Sequence, residues 1–506
     1  MHRRKNLICI FILLSALFLG LFLFRRGYIF LDGRIYARNA KQLDLRECQI
    51  SVEEYLLLRE KLPDCEILWE IPFQGNFFPM DTRFLSVSKL SDEDLNTIAC
   101  FSALETVDAT GCRDYSRLER LRELYPNVNV FYSVNIEGTD YPWDTTEITV
   151  TQASAAVLSA VSHFPCLKII HAETCTDLQG LKKLWEANPV CKIFYQVPIS
   201  GFLVSGDTEF LSLQDIPVTE LAQLLPYLPQ LKRITLTSPE GTAEELRELA
   251  ENYPQISFLW ETEIFGIPVS SEDQELDLSG ISLESTDEIR QAARWLPKLE
   301  KVIACNCGID NEAMASFREE MRDQYKVVWE ISLGRKPLRT DATWYSGVLS
   351  DKTAHDFRYC EEMVCVDMGH HSISDLSWAA YMPNLKYLII ADTNITDLTP
   401  LEGLQHLTYL ELFESGVTDL SPLLTCPALE DLNIGGSEID VETVKRLTWL
   451  KRLWWLGCPV GIDELKHALP DTEIVFPRWS YTANGWREGE NYYAQRDFMG
   501  KDYMVG

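Results

Sequence analysis

Basic residues are scarce in this chain: 46 Lys and Arg stand against 76 Asp and Glu, a formal net charge of −30 over 506 residues. With the five cations of residues 1–26 set aside, 41 remain against 76, a balance of −35. That excess opposes nonspecific binding to nucleic acid or to an anionic membrane surface, so no nucleic-acid partner is expected. Catalytic signatures are missing as well. There is no HExxH, GxSxG, Walker loop, dinucleotide fingerprint or calcium loop. No carboxylate pair stands out from the many acids. The chain is therefore read as a non-enzyme, with no catalytic residue, cofactor or metal. Its fourteen cysteines show no paired spacing, so no disulfide framework follows.

Long apolar runs are confined to one place. Residues 7–24 (LICIFILLSALFLGLFLF) are 18 mostly apolar positions, about 27 Å as a helix. Arg3, Arg4 and Lys5 precede them, Arg25 and Arg26 follow, and no small-x-small cleavage site comes after. An uncleaved single-pass signal anchor is expected, holding the chain at the cell membrane. The near-balanced flanking charge orients the anchor only weakly.

Five glycines, Gly75, Gly138, Gly201, Gly266 and Gly334, recur at steps of 63, 63, 65 and 68 residues. Each follows a short apolar strand such as NPVCKIFYQVPISG, and an acid comes six or seven positions later (Asp81, Asp144, Asp207, Glu272, Asp341). Alternation and turn residues around each glycine predict a β-hairpin. A finer period rules the C-terminal third. Leu385, Leu388, Ile390 and Ile395 recur as Leu407, Leu410, Leu412 and Val417, then as Leu429, Leu432, Ile434 and Ile439. The step of 22 residues predicts one short strand and one return turn per repeat.

LKYLIIADTNITDLTPLEGL and LTYLELFESGVTDLSPLLTC resemble the leucine-rich repeats of bacterial surface proteins, including the Asp-Leu-x-Pro-Leu step. The resemblance implies an α/β leucine-rich repeat solenoid, curved, with repeated hairpin excursions and the N-terminal transmembrane helix. Expected domains are 1–26, cytoplasmic stub and anchor; 27–334, diverged repeats in superunits of about 65 residues; 335–362, an irregular junction; 363–476, regular 22-residue repeats; and 477–506, an aromatic cap or tail. The resemblance and the anchor together imply an extracellular body.

Cys48, Cys112, Cys175, Cys307 and Cys458 take the last inward slot of the strand motif, where Thr393, Ser415 and Ser437 stand in the clearest repeats. They are read as packing residues. Alternation turns Cys305 outward. It separates His370 from His371, which takes the inward position and leaves no converging metal ligands.

Outward strand positions carry the candidate partner-binding residues. These are Asp367, Ile389, Glu411, Asn433 and Trp454 at the centre, with Tyr387, Asp392, Tyr409, Phe413, Glu414, Asp431 and Arg452 beside them. Acids interleaved with aromatics suit recognition of a protein or polysaccharide. An alternative is a self-associating envelope protein joined through its hairpin tips; a further one is an enzyme acting on the cell wall or carbohydrate. The aromatic tail from Trp479 to Tyr503 is expected to pack over the last repeat as a cap.

Overall fold

The computed structural model describes residues 27–31, 34–334, 336–457 and 462–503. The span expected at 7–24 lies outside them. Among the described residues, no helix is long and apolar enough to cross a membrane. The chain forms two compact units, Met1–Phe210 with Thr219–Lys232, and Leu211–Val218 with Arg233–Gly506.

In the first unit short parallel strands alternate with helices. Phe84–Ser86, Thr106–Asp108 and Asn129–Phe131 form one parallel sheet; Glu147–Thr149, Ile169–Ala172 and Lys192–Ile199 form the parallel part of another. Their inward residues Leu85, Val107, Ile148 and Ile170 are buried with the helix residues Leu118, Leu121, Leu181 and Leu184. Each burial contributes about 1.5–3 kcal/mol. The helices Val52–Lys61 and Asp92–Ile98 start on capping boxes, Ser51 with Glu54 and Ser91 with Asp94, which satisfy backbone N–H groups that no helical carbonyl reaches.

The glycine-marked loops are hairpins, as the sequence predicts. Gln74–Gly75, Glu137–Gly138 and Ser200–Gly201 have both central φ angles positive, and Phe265–Gly266 repeats this in the second unit. Such two-residue turns match the right-handed twist of the strands. Gly138 sits at φ +89, so Gly138→Ala is expected to cost about 1–2 kcal/mol, read as a lower urea midpoint. The recurring acid also has a local cause. It is the third residue of a turn closed by Thr82 N–H to the Pro79 carbonyl (3.1 Å), and likewise from Thr145 to Pro142, Thr208 to Ser205, Asp273 to Ser270 and Ala342 to Arg339. One more hairpin, Tyr28–Leu31 with Arg34–Ala37, precedes the five that were expected.

The second unit ends in a seven-stranded parallel sheet: Trp344–Ser346, Cys365–Asp367, Tyr387–Ile389, Tyr409–Glu411, Asp431–Asn433, Arg452–Trp454 and Glu473–Val475. Its register stacks Val366, Leu388, Leu410, Leu432, Leu453 and Ile474 in one column. All but the half-buried Ile474 are fully buried in one apolar core. The Asp-Leu-x-Pro-Leu step has a plain role. Asp375, Asp397 and Asp419 each accept the N–H two residues on, at 2.8 Å, and so start the return turns. Pro400 and Pro422 follow in the last two, where a missing N–H costs nothing; Trp378 takes that place after Asp375.

Three expectations need correction here. Residues 336–362 are not irregular: they hold a hairpin strand, Pro337–Arg339, the first strand of the long sheet and the helix Asp351–Phe357. Cys305 lies on the face away from the main core, as alternation predicts, but is buried there beside Ile303 and Val328 instead of being exposed. His371 is only half-buried and turns back to the His370 carbonyl. The turn-slot reading holds at Cys307, whose thiol donates to the Leu278 carbonyl at 3.1 Å, and at Thr393, which donates to Ile390 at 2.7 Å. The twelve described cysteines are free; Cys458 lies outside the described residues.

Candidate recognition face

The second face of the seven-stranded sheet carries the columns Tyr387–Tyr409–Asp431–Arg452 and Asp367–Ile389–Glu411–Asn433–Trp454. All of the expected residues thus gather on or beside one surface. They do not meet solvent as expected. Tyr387, Ile389, Tyr409, Glu411, Phe413, Asp431, Asn433 and Trp454 are buried, Asp367 and Arg452 are half-buried, and only Asp392 and Glu414 are exposed.

Their cover is the chain's own tail. Past the last strand the chain reverses and runs back over the sheet, so the tail closes a face and does not cap an end. Tyr481 stacks on Phe413 (ring centroids 5.0 Å apart, 4° between planes) and donates to Glu414 at 2.7 Å. That ring needs Gly435 and Gly436, where a Cβ would come within 2.8 and 2.9 Å of it. Trp486 lies against Tyr409 at 5.1 Å and Trp454 at 5.4 Å. Asn491 reaches Glu430 and Asp431, and the helix Glu490–Met499 brings Tyr492 and Met499 into an apolar cluster with Cys365 and Tyr387. Lys501 ends the path beside Ser346 and Asp367.

One carboxylate organises the centre. Glu411, fully buried, accepts from Tyr409 Oη at 2.6 Å, Trp486 Nε1 at 3.0 Å and Arg487 Nη2 at 2.9 Å. Burial and the neighbouring carboxylate hold the Tyr409 hydroxyl far above its ordinary titration range. Burial works against the Arg487 charge, but Glu411 outweighs it and the guanidinium stays above its usual value. Asp431 is shifted up by burial, which the Arg452 guanidinium offsets in part. Burial pushes the Cys365 thiol up to about 12, which removes it from thiolate chemistry. Among the described residues no three His, Cys, Asp or Glu side chains are placed to hold a metal ion. His370 instead pairs with Asp392 at 2.9 Å.

The sequence reading missed Trp486, Arg487 and Asn491 as partners of this face. The available signal was Arg487, one of four tail cations (Arg478, Arg487, Arg496 and Lys501) that could complement Glu411.

A second polar cluster sits on the first unit. His171 stacks on Phe194 (5.3 Å, 15°), while its two ring nitrogens meet Glu173 and Glu147. The Glu173 and Glu147 contacts raise its pKa above the ordinary 6.5. Its stabilising contribution is therefore complete below pH 6.5 and is lost as pH rises through the raised value. His171→Gln is expected to flatten that part of the stability–pH profile, and imidazole NMR titration of the wild-type chain checks the direction of the shift.

Residues 383–423 match the family model described as Leucine Rich repeats, two copies. No curated protein matches the chain. Among solved structures, internalin C2 of Listeria monocytogenes is 22% identical over 29% of this chain and 78% of its own (TM-score 0.22). Internalin F of the same species is 15% identical over 80% and 91% (0.23). A leucine-rich repeat protein of Leptospira interrogans is 13% identical over 77% and 93% (0.26). The repeat assignment rests on the family match and on the strand ladder itself.

Proposed function

We propose that the chain is a non-enzymatic recognition module, anchored through residues 7–24 with its body outside the cell, that binds a protein partner on the second face of its seven-stranded sheet. The observation that carries this reading is the Glu411 centre. Leucine-rich repeats are a recognition scaffold, and here the scaffold's face is built of rings and ionised groups that grip polypeptide. Aromatic residues and arginine dominate binding energy wherever they are desolvated in such pockets. Binding of a polysaccharide by stacking on the tail rings loses support, since the tail's Trp486 and Tyr492 are buried against the sheet.

The test uses the full chain in intact cells, with a photo-cross-linking residue replacing Glu414 at the rim of the face, or Val190, exposed on the first unit, as control. A discrete cross-linked protein from position 414 alone is expected. Equal labelling from both positions, or none, overturns the reading. External protease should also remove an epitope placed after Gly506 while a cytoplasmic protein survives; protection would refute the outward orientation.

A second reading, self-association through hairpin tips, draws on Phe202 and Leu203, which are 73% and 66% exposed on one tip. Apolar side chains so placed favour burial against another copy. If that reading holds, the mass of the soluble body rises with concentration and Leu203→Asp abolishes the rise. A strict monomer sinks it.

A further inference from the structure

The two faces of the long sheet are built on different principles. One buries an aliphatic column, Leu388, Leu410, Leu432 and Leu453. The other buries Glu411, Asp431, Asn433 and, in part, Arg452 under the segment 481–501. Buried ion pairs rarely outperform apolar residues of equal volume in stability; their gain is choice of partner. The cover is also not woven into the sheet. Among the described residues, its backbone–backbone hydrogen bonds (Ala483 to Ser480, Tyr493 to Gly489, Gly500 to Asp497) stay within the segment.

What joins tail to face is side-chain donors reading a backbone. Asn433 Nδ2 donates to the Tyr481 carbonyl at 2.9 Å, and Trp454 Nε1 to Ala483 at 2.9 Å. Arg452 Nη2 donates to Gly485 at 2.7 Å and Trp486 at 3.1 Å. Gly489 lets the guanidinium approach, since a Cβ there would fall 1.7 Å from Arg452 Nη1. Donors aimed at successive carbonyls hold any polypeptide laid along them. Glu411 then selects an indole N–H followed at once by a guanidinium. This is the logic of a peptide site: main-chain bonds for grip, one pocket for specificity.

We propose that this face is a peptide-binding site held in cis by residues 481–501, and that its partner in trans is a protein segment carrying tryptophan followed by arginine, which displaces the tail. The inference rests on the recognition reading above and adds the ligand's chemistry. The exposed connector at Trp479 gives the route of exchange. A tethered occupant acts at an effective concentration in the millimolar range, so a partner must bind tightly or arrive at high local density. A cell-surface protein facing the anchored chain would meet that condition.

The experiment places a specific protease site between Arg478 and Trp479 of the otherwise intact chain. After cleavage, a fluorescent peptide of residues 479–506 is added. Saturable binding with release of the resident segment is expected. Peptides with Trp486→Ala or Arg487→Ala should bind at least about 100-fold more weakly. No exchange, or exchange indifferent to those two substitutions, overturns the proposal. Hydrogen exchange of the uncleaved chain guards against a fold lost on cleavage. Amides of Glu490–Met499 should exchange by a local opening, faster than those around Leu410; equal protection of both also overturns it. A cross-link from position 414 without peptide exchange would leave the recognition reading standing and remove this one. Exchange without any cross-link would overturn the recognition reading and, with it, the partner in trans, leaving only a tail that docks in cis.

Discussion

Trp486→Ala is expected to lower the stability of the tail's docked state by about 3–5 kcal/mol, the cost of emptying a site that large. The indole is fully buried between Tyr409 and Trp454, and its N–H is one of three donors on Glu411. Truncation leaves a cavity on the ring side and a carboxylate short of a donor on the other. The loss should be local. Amides of Glu490–Met499 should lose protection in hydrogen exchange, while those flanking Leu410 and Leu432, whose column faces the other core, should keep theirs. Uniform loss along the repeats would mean that face and tail form a single cooperative body, and the tail could not then act as a displaceable occupant.

The parts of the fold legible in the sequence are those set by local geometry. The 22-residue step, the Leu388–Leu410–Leu432 column and the hairpin turns at Gly75, Gly138 and Gly201 all follow from period or φ. The first hairpin, Tyr28–Leu31 with Arg34–Ala37, escaped because Arg34 stands 41 residues before Gly75, out of step with the 63–68-residue spacing that revealed the others. The covering of the recognition face was illegible for a different reason. Alternation says that Glu411 points away from the leucine core; it says nothing about what lies beyond. The partners Trp486 and Arg487 stand 75 and 76 residues further along, past three more strands. Periodicity carries no information across that separation; charge says only that a buried acid demands a donor, and nine Lys and Arg follow Glu411, so it does not single out Arg487.

Glu411→Ala is expected to be as damaging as the loss of Trp486, at about 3–5 kcal/mol, because breaking a buried pair strands the partner's charge. Arg487 Nη2, the Trp486 N–H and the Tyr409 hydroxyl would all lose their acceptor at once. Glu411→Met combined with Arg487→Met should behave otherwise. With both charges gone, the docked tail should match the wild type or exceed it, and the coupling between the two sites in a double-mutant cycle should reach about 0.5–3 kcal/mol. Urea unfolding followed by hydrogen exchange at Glu490–Met499 reads all four corners of the cycle. Stability and recognition should then part ways. The double variant keeps a tighter lid but has lost the group that selects a guanidinium, so cross-linking from position 414 should fall even as the fold gains. If the double variant instead loses stability and keeps its cross-link, the ion pair is simply part of the packing, and recognition belongs to another surface.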